Sequence, residues 1–288
     1  MATLREIRRR ITSVRSTQQI TKAMKMVAAA RLRKAQERAL SMRPYSEKLT
    51  EIVGHLVANV EDNSEPLLIE KETKRVLTVV VSADRGLCGG FNSNLIRESV
   101  RNIHSMNDKE VQIFSVGKKS NEYFSKRDYV LFSNKDNFFN HLEFDIAVEL
   151  SSTLIKAYTK DQFDRVDIYY NKFKSAVAQE IKCEQFLPLI PDTETEGKKS
   201  SVDFLYQPSK EEILSAIIPK HLNMQLWKIL LESYAAEQAA RMTAMENATE
   251  NAEELIAKLT LTYNRARQAA ITKEISEIVG GAEALKEN

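Results

Sequence analysis

Glycine is missing from residues 1–43, and the only acidic side chains there are Glu6 and Glu37. Glycine is missing again between Gly197 and Gly280, and no proline follows Pro219. Both ends of the chain thus hold long stretches without the usual helix breakers. Cysteine is scarce, with Cys88 and Cys183 far apart and in dissimilar settings. That excludes a disulfide framework and points to a reducing compartment. No apolar run approaches the roughly 18 residues that a membrane span needs. The four histidines, His55, His104, His141 and His221, are scattered with no ligand spacing to cysteines or carboxylates, so no metal site is expected.

What fills the N-terminal stretch is positive charge on an apolar repeat. Residues 1–43 carry twelve lysines and arginines in a chain whose net charge is only +2. Leu4, Ile7, Ile11, Val14, Ala28, Leu32, Ala35, Ala39 and Met42 follow the alternating three-and-four spacing of a coiled-coil seam. A transit peptide is also basic, but Glu6, Glu37 and the continuing heptads argue for mature structure. One such helix cannot bury its own stripe. A matching stripe lies at the other end, in Leu231, Tyr234, Gln238, Met242, Met245, Ala248, Ala252, Leu255, Leu259, Tyr263, Ala266 and Ala270. The two terminal helices should pair, antiparallel if both leave a shared middle domain. Roughly 60 helical residues at 1.5 Å each would reach about 90 Å. The charge asymmetry predicts an acidic partner surface for the first helix.

The middle of the chain alternates strand and helix patterns. RVLTVVVS (75–82), VQIFSV (111–116) and RVDIYY (165–170) read as buried strands, and 92–105, 118–127 and 142–158 as helices. The fold expected is therefore α/β: a long antiparallel coiled coil of the N- and C-terminal helices plus a Rossmann-like α/β domain with a mostly parallel sheet. Its parts are residues 1–60, 72–195 and 208–288, joined by polar links at 61–74 and 188–207.

DRGLCGGFN (84–92), between the first strand and a helix, is the most site-like string. Gly86, Gly89 and Gly90 do not make G-x-G-x-x-G, and Gly117-Lys118-Lys119-Ser120 lacks the upstream glycine of a P-loop. A structural turn whose glycines take positive φ is the better reading. Cys88 could serve as a thiolate nucleophile only if His104 or His141 came near it in space. Glu253 and Glu254 read as a solvated helix face, and Trp227 with Leu226, Ile229 and Leu230 as core. The seam turns polar at Gln18 and Thr21, with apolar side chains displaced to Ile20, Met24 and Val27. That is costly unless something packs there. Arg241, Arg265, Arg267, Gln268, Thr272 and Glu274 give the last helix a polar, hydrogen-bonding collar.

Three strings carry a resemblance that runs nearly end to end: IRRRITSVRSTQQITKAMKMVAAARLRKAQ (7–36), SADRGLCGGFNSNL (82–95), and EQAARMTAMENAT with YNRARQAAITKEISEIVGGAEAL (237–249, 263–285). With them the chain resembles the gamma subunits of bacterial F-type ATP synthases. The resemblance implies a non-catalytic rotor shaft without cofactors. Its coiled coil would enter the ring of alpha and beta subunits, and proton-driven turning of the membrane c ring would drive the beta sites through their cycle. Lys22, Met24 and Lys25 would face an acidic lever of beta. Arg267, Gln268, Thr272 and Glu274 would meet a loop at its collar, with Arg241 nearby. Ile271, Ile275, Ile278 and Val279 would turn in an apolar sleeve. Ala30 to Arg33 and Tyr206 would lie toward epsilon and the c ring. The place implied is peripheral, on the cytoplasmic face of the bacterial inner membrane. The redox cysteine pair of plastid members has no counterpart, so thiol control is not expected. Two rivals remain at this point: a basic coiled-coil protein that binds nucleic acid, and a small α/β enzyme using Cys88 or the glycine turn.

Overall fold

A computed structural model describes residues 3–57, 65–175, 178–190 and 210–286. Helix α1 is Leu4–Val57 and helix α5 is Lys210–Lys286. Between them come β1 (Arg75–Val81), α2 (Phe91–Ser105), β2 (Glu110–Val116), α3 (Lys118–Phe124), β3 (Leu131–Lys135), a 3-10 turn (Phe139–His141), α4 (Phe144–Thr159), β4 (Arg165–Phe173) and β5 (Gln179–Leu187). The chain divides into two compact units: the start of α1 through Val27 with the end of α5 from Met242, and residues Ala28–Arg241.

In the first unit the two helices form an antiparallel coiled coil. Thr21 meets Thr249, and Lys25, one turn later, meets Glu246, one turn earlier. The α1 seam keeps its three-and-four spacing through Leu4, Ile7, Ile11, Val14, Gln18, Thr21 and Lys25, all buried or half-buried. On α5 the matching positions are Met245, Thr249, Ala252, Ile256, Leu259, Tyr263, Ala266 and Ala270. Two positions differ from expectation: Thr249 stands in place of Ala248, and Ile256 in place of Leu255, which is 44% exposed. Both series alternate threes and fours, and the observed one is the phase that sets Thr249 against Thr21.

The second unit is built on a five-stranded sheet of order β3-β2-β1-β4-β5. Strand β1 pairs in parallel with β2 and β4, β2 in parallel with β3, and β4 antiparallel with β5. One face, with Val80, Ile113 and Tyr169, is covered by Leu95 and Ile96 of α2 and Phe124 of α3. The other, with Leu77, Val79, Val81, Phe114, Ile168 and Tyr170, packs under α4, α5 and the end of α1 through Leu154, Leu226, Leu230, Val53 and Leu56. Being covered on both sides is why β1 reads as one continuous apolar run. Helix α3 can start only after glycine: Gly117 has φ +94°, and a Cβ there would lie 2.1 Å from the Ser82 carbonyl oxygen.

Strands β3 and β5 are not evident from the sequence. LFSNK is short, and QEIKCEQFL carries charges on an edge strand, where neither face is fully covered. Strand β4 also runs past Tyr170 to Phe173, where it pairs with β5 through Asn171, Lys172 and Phe173. Pro44 and Pro219 lie inside helices, each removing one helical hydrogen bond, in segments held by tertiary burial of their apolar stripes.

Candidate partner-contact surfaces

In open α/β sheets ligands bind beyond the carboxyl ends of the strands, where the strand order reverses. Here that point is the end of β1 between β2 and β4, and the chain's own groups fill it. The Asp84 carboxylate accepts backbone N–H bonds from Lys118 at 3.1 Å, Asn137 at 2.9 Å and Phe139 at 3.1 Å, tying three loops together. The Asn92 side chain accepts from the Ala83 N–H at 2.9 Å. Ala236 and Ala240 of α5 pack on Ala83, Cys88 and Phe91, their small side chains letting the helix come close.

Within the turn, only Gly89 of the three glycines has positive φ, 57°, and Leu87 shares that conformation at 64°. Gly90 instead precedes α2 at φ −81°. The Gly86 carbonyl accepts from the Arg241 guanidinium. Cys88 is buried, and burial pushes its pKa up despite the nearby Arg241 charge. Asn92 Nδ2 lies 3.2 Å from its sulfur, and the imidazole of His104 is engaged instead with Tyr129. A buried thiol whose pKa is raised is a poor nucleophile, and the hydrogen bonds around this loop make it a structural joint. Trp227 belongs to the core and stacks edge-on against Phe144.

Arg241 departs from the surface collar expected of it. It is only 8% exposed, and its guanidinium pairs with the buried Glu237. Burial raises the Glu237 pKa, while the hydrogen bond and charge of Arg241 oppose the rise. One turn of helix sets the two side chains at i and i+4, where they face each other. Arg241 is therefore an internal bolt between α5 and the Gly86 turn.

Lys22, Met24, Lys25, Arg267, Gln268, Thr272 and Glu274 lie in the first unit, and Ala30 to Arg33 fall in the second. Lys22 is exposed, Met24 half-buried, and Lys25 half-buried in an ion pair with Glu246. Thr21 and Thr249 share a 2.7 Å hydrogen bond inside the seam. Thr21 and Lys25 of the polar seam are therefore satisfied within the chain. The displaced apolar side chains Ile20 and Val27 are exposed instead. Sequence reading missed Glu246 and Thr249 as their partners, although matching the two heptads in opposite directions brings these four positions together. Arg267, Gln268, Thr272 and Glu274 are all exposed, within two turns of one another on α5. Beyond Ala270 no described side chain is buried, and Ile271, Ile275, Ile278 and Val279 form an apolar stripe in the open. Tyr206 lies outside the described residues. Arg5, Arg8, Arg9, Arg10 and Arg15 are exposed on α1.

The family model described as ATP synthase matches residues 3–285. The ATP synthase gamma chain of Chlorobaculum tepidum is 50% identical over 293 residues, all of both chains. That of Chloroherpeton thalassium is 48% identical over 303 residues, again covering both fully. Among solved structures, a chain of the central stalk/c-ring of the Tetrahymena thermophila mitochondrial ATP synthase is 27% identical with TM-score 0.61, covering 80% of this chain and 99% of that one. A chain of the Euglena gracilis mitochondrial ATP synthase, in rotational state 3, aligns over 98% of this chain and 94% of that one with TM-score 0.69 and 22% identity, a likeness of fold. With relatives near half identity along its whole length, the chain belongs to the ATP synthase gamma-chain family.

Proposed function

We propose that this chain is the central rotor shaft of a proton-translocating F-type ATP synthase. It has no catalytic site of its own, and ATP is made and hydrolysed on the beta subunits. The observation that carries this reading is the antiparallel pairing of the two chain-terminal helices in a chain that also holds an α/β unit and is alike end to end with ATP synthase gamma chains. The nucleic-acid alternative finds no support in the fold or in these relatives.

The mechanism is differential contact. A two-helix shaft is not three-fold symmetric, so each orientation presents a different face to each of three beta subunits. Contacts stronger with one beta conformation than another shift its nucleotide affinity, and by linkage nucleotide binding pushes back on the shaft. The exposed groups suited to such contacts are Lys22, the half-buried Met24 and Lys25 toward an acidic lever, and Arg267, Gln268, Thr272 and Glu274 toward the collar. The stripe of Ile271, Ile275, Ile278 and Val279 would sit in an apolar bearing. Tyr206 and Ala30 to Arg33 would lie toward epsilon and the c ring. Arg241 would act through the joint it holds. By role the chain divides into a first coil helix (1–60), an α/β domain (72–195) and a second coil helix (208–288). The chain is part of the membrane-associated F1 complex, and its proposed place is the cytoplasmic face of the bacterial inner membrane.

A Gly-Gly insertion after Ala248 tests the shaft. Two added residues turn the rest of α5 by about 200° and pull the seam past Thr249 out of phase. Assembly should persist while proton pumping per ATP falls in inverted vesicles. Normal pumping per ATP would refute the shaft role of that segment.

A further inference from the structure

The sheet face under α2 holds a polar pair among apolar neighbours. Thr78 of β1 stands in parallel register with Ile113 of β2 on one side and Asp167 of β4 on the other. Ile113, together with the next pair along, Val80 and Tyr169, belongs to the cluster packed under α2. Thr78 and Asp167 therefore point to that same side. Both are 0% exposed. Asp167 Oδ1 accepts from the Arg165 Nε–H at 2.8 Å, two residues back on the same strand. Its Oδ2 has no hydrogen-bond partner among the described residues, and neither has Thr78 Oγ1. The two are strand neighbours that do not bond each other.

A buried hydroxyl and a buried carboxyl oxygen are costly to leave unmatched. Helix α2 does not supply the missing donor, because its buried Ser99 gives its hydroxyl proton to the Ile96 carbonyl at 2.9 Å. Neighbouring strands lie about 4.8 Å apart, and equivalent side-chain atoms in one row are separated by about that distance. That is too far for a direct bond. One water with hydrogen bonds of about 2.8 Å to each group spans about 4.5 Å, close to the strand spacing. We propose that a single buried water molecule bridges Thr78 Oγ1 and Asp167 Oδ2, joining the side chains of β1 and β4 under helix α2.

Buried waters commonly join polar groups that the chain itself leaves unmatched. Burial pushes the Asp167 carboxyl up, while the hydrogen bond and charge of Arg165 pull it down. Water both donates and accepts, so the bridge serves Asp167 in either state. It lets β4 keep, within the sheet, the carboxyl group that holds Arg165 at the start of the strand. The bridge concerns only β1 and β4 and is independent of the rotor reading.

Crystal structures of the full chain and of its Thr78→Ser and Thr78→Val variants, at a resolution that orders water, test it. The parent and Thr78→Ser should each show one water within about 2.6–3.2 Å of both the residue 78 hydroxyl and Asp167 Oδ2. Thr78→Val keeps the shape without the hydroxyl and should lose that water. In solution Thr78→Val should lower the melting midpoint by about 2–4 °C. In a dry site valine would remove an unmatched hydroxyl, so a variant that melts at or above the parent would overturn the bridge. A direct bond between Thr78 and Asp167, an empty gap, or a water that stays in place in Thr78→Val would overturn it as well.

Discussion

Replacing Arg241 with methionine should loosen the joint between α5 and the glycine turn. Arg241 and Glu237 are 8% and 5% exposed, so solvent screens their interaction little. Removing one partner of a buried pair typically costs about 3–5 kcal/mol, because the other charge is left stranded. The Gly86 carbonyl loses its guanidinium donor as well, which adds a cost on the order of 1 kcal/mol. At about 2–4 °C per kcal/mol for a unit of this size, the midpoint of unfolding should fall by about 8–24 °C near neutral pH. The loss should shrink on acidification. Arg241 is what opposes the burial-driven rise of the Glu237 pKa, so without it the folded pKa climbs further above the unfolded one. The variant's stability is then greatest below the unfolded carboxyl pKa and falls as pH rises through the folded value. Circular dichroism melts of parent, Arg241→Met, Glu237→Gln and the double variant between about pH 5 and pH 8 give the cycle. The double variant should recover at least about 2 kcal/mol relative to the sum of the single losses. A single-variant loss under about 1 kcal/mol, or additive losses, would refute the idea that this pair bolts the turn to the helix.

Asp84→Ala leaves three backbone N–H groups without their acceptor and should destabilise the chain by about 3 kcal/mol or more, read by urea unfolding. Gly117→Ala should prevent accumulation of folded chain, since its Cβ would meet backbone; a soluble variant with the parent's midpoint would contradict the geometry around α3. Thr21→Val alone breaks the seam bond but leaves the Thr249 hydroxyl its Met245 carbonyl acceptor, so it should cost no more than about 1 kcal/mol, and the Thr21→Val/Thr249→Val pair should be close to neutral. Equal losses in the single and double variants would show that the hydrogen bond does not hold the seam.

The coiled coil was legible because its period is unbroken: counting threes and fours from Leu4 passes through Gln18, Thr21 and Lys25 without a slip. Residue identity alone could not say that two of these positions meet Thr249 and Glu246, since the register between distant helices depends on both ends of the chain. The central strands announced themselves by burial on both faces, but β3 and β5 did not, because an edge strand is only half covered and keeps its charges. The glycine turn was recognised as structural, yet its positive φ falls partly on Leu87 rather than Gly86. Backbone conformation there is set by the Asp84 hydrogen bonds and by α5 packing, neither of which is local in sequence. Arg241 reads as a surface residue for the same reason. Nothing near it in sequence shows that Ala236 and Ala240 bring α5 close enough to the turn for its guanidinium to reach Gly86.

The central claim is rotation. The chain should be purified in complex with alpha and beta subunits, the complex fixed to a surface through beta, and a bead carried on the chain's α/β unit. On addition of Mg-ATP the bead should turn in one direction in steps of about one third of a revolution, as a three-fold ring of sites around a single shaft requires. A complex that hydrolyses ATP while the bead only fluctuates, or a chain recovered without alpha and beta, would contradict the account.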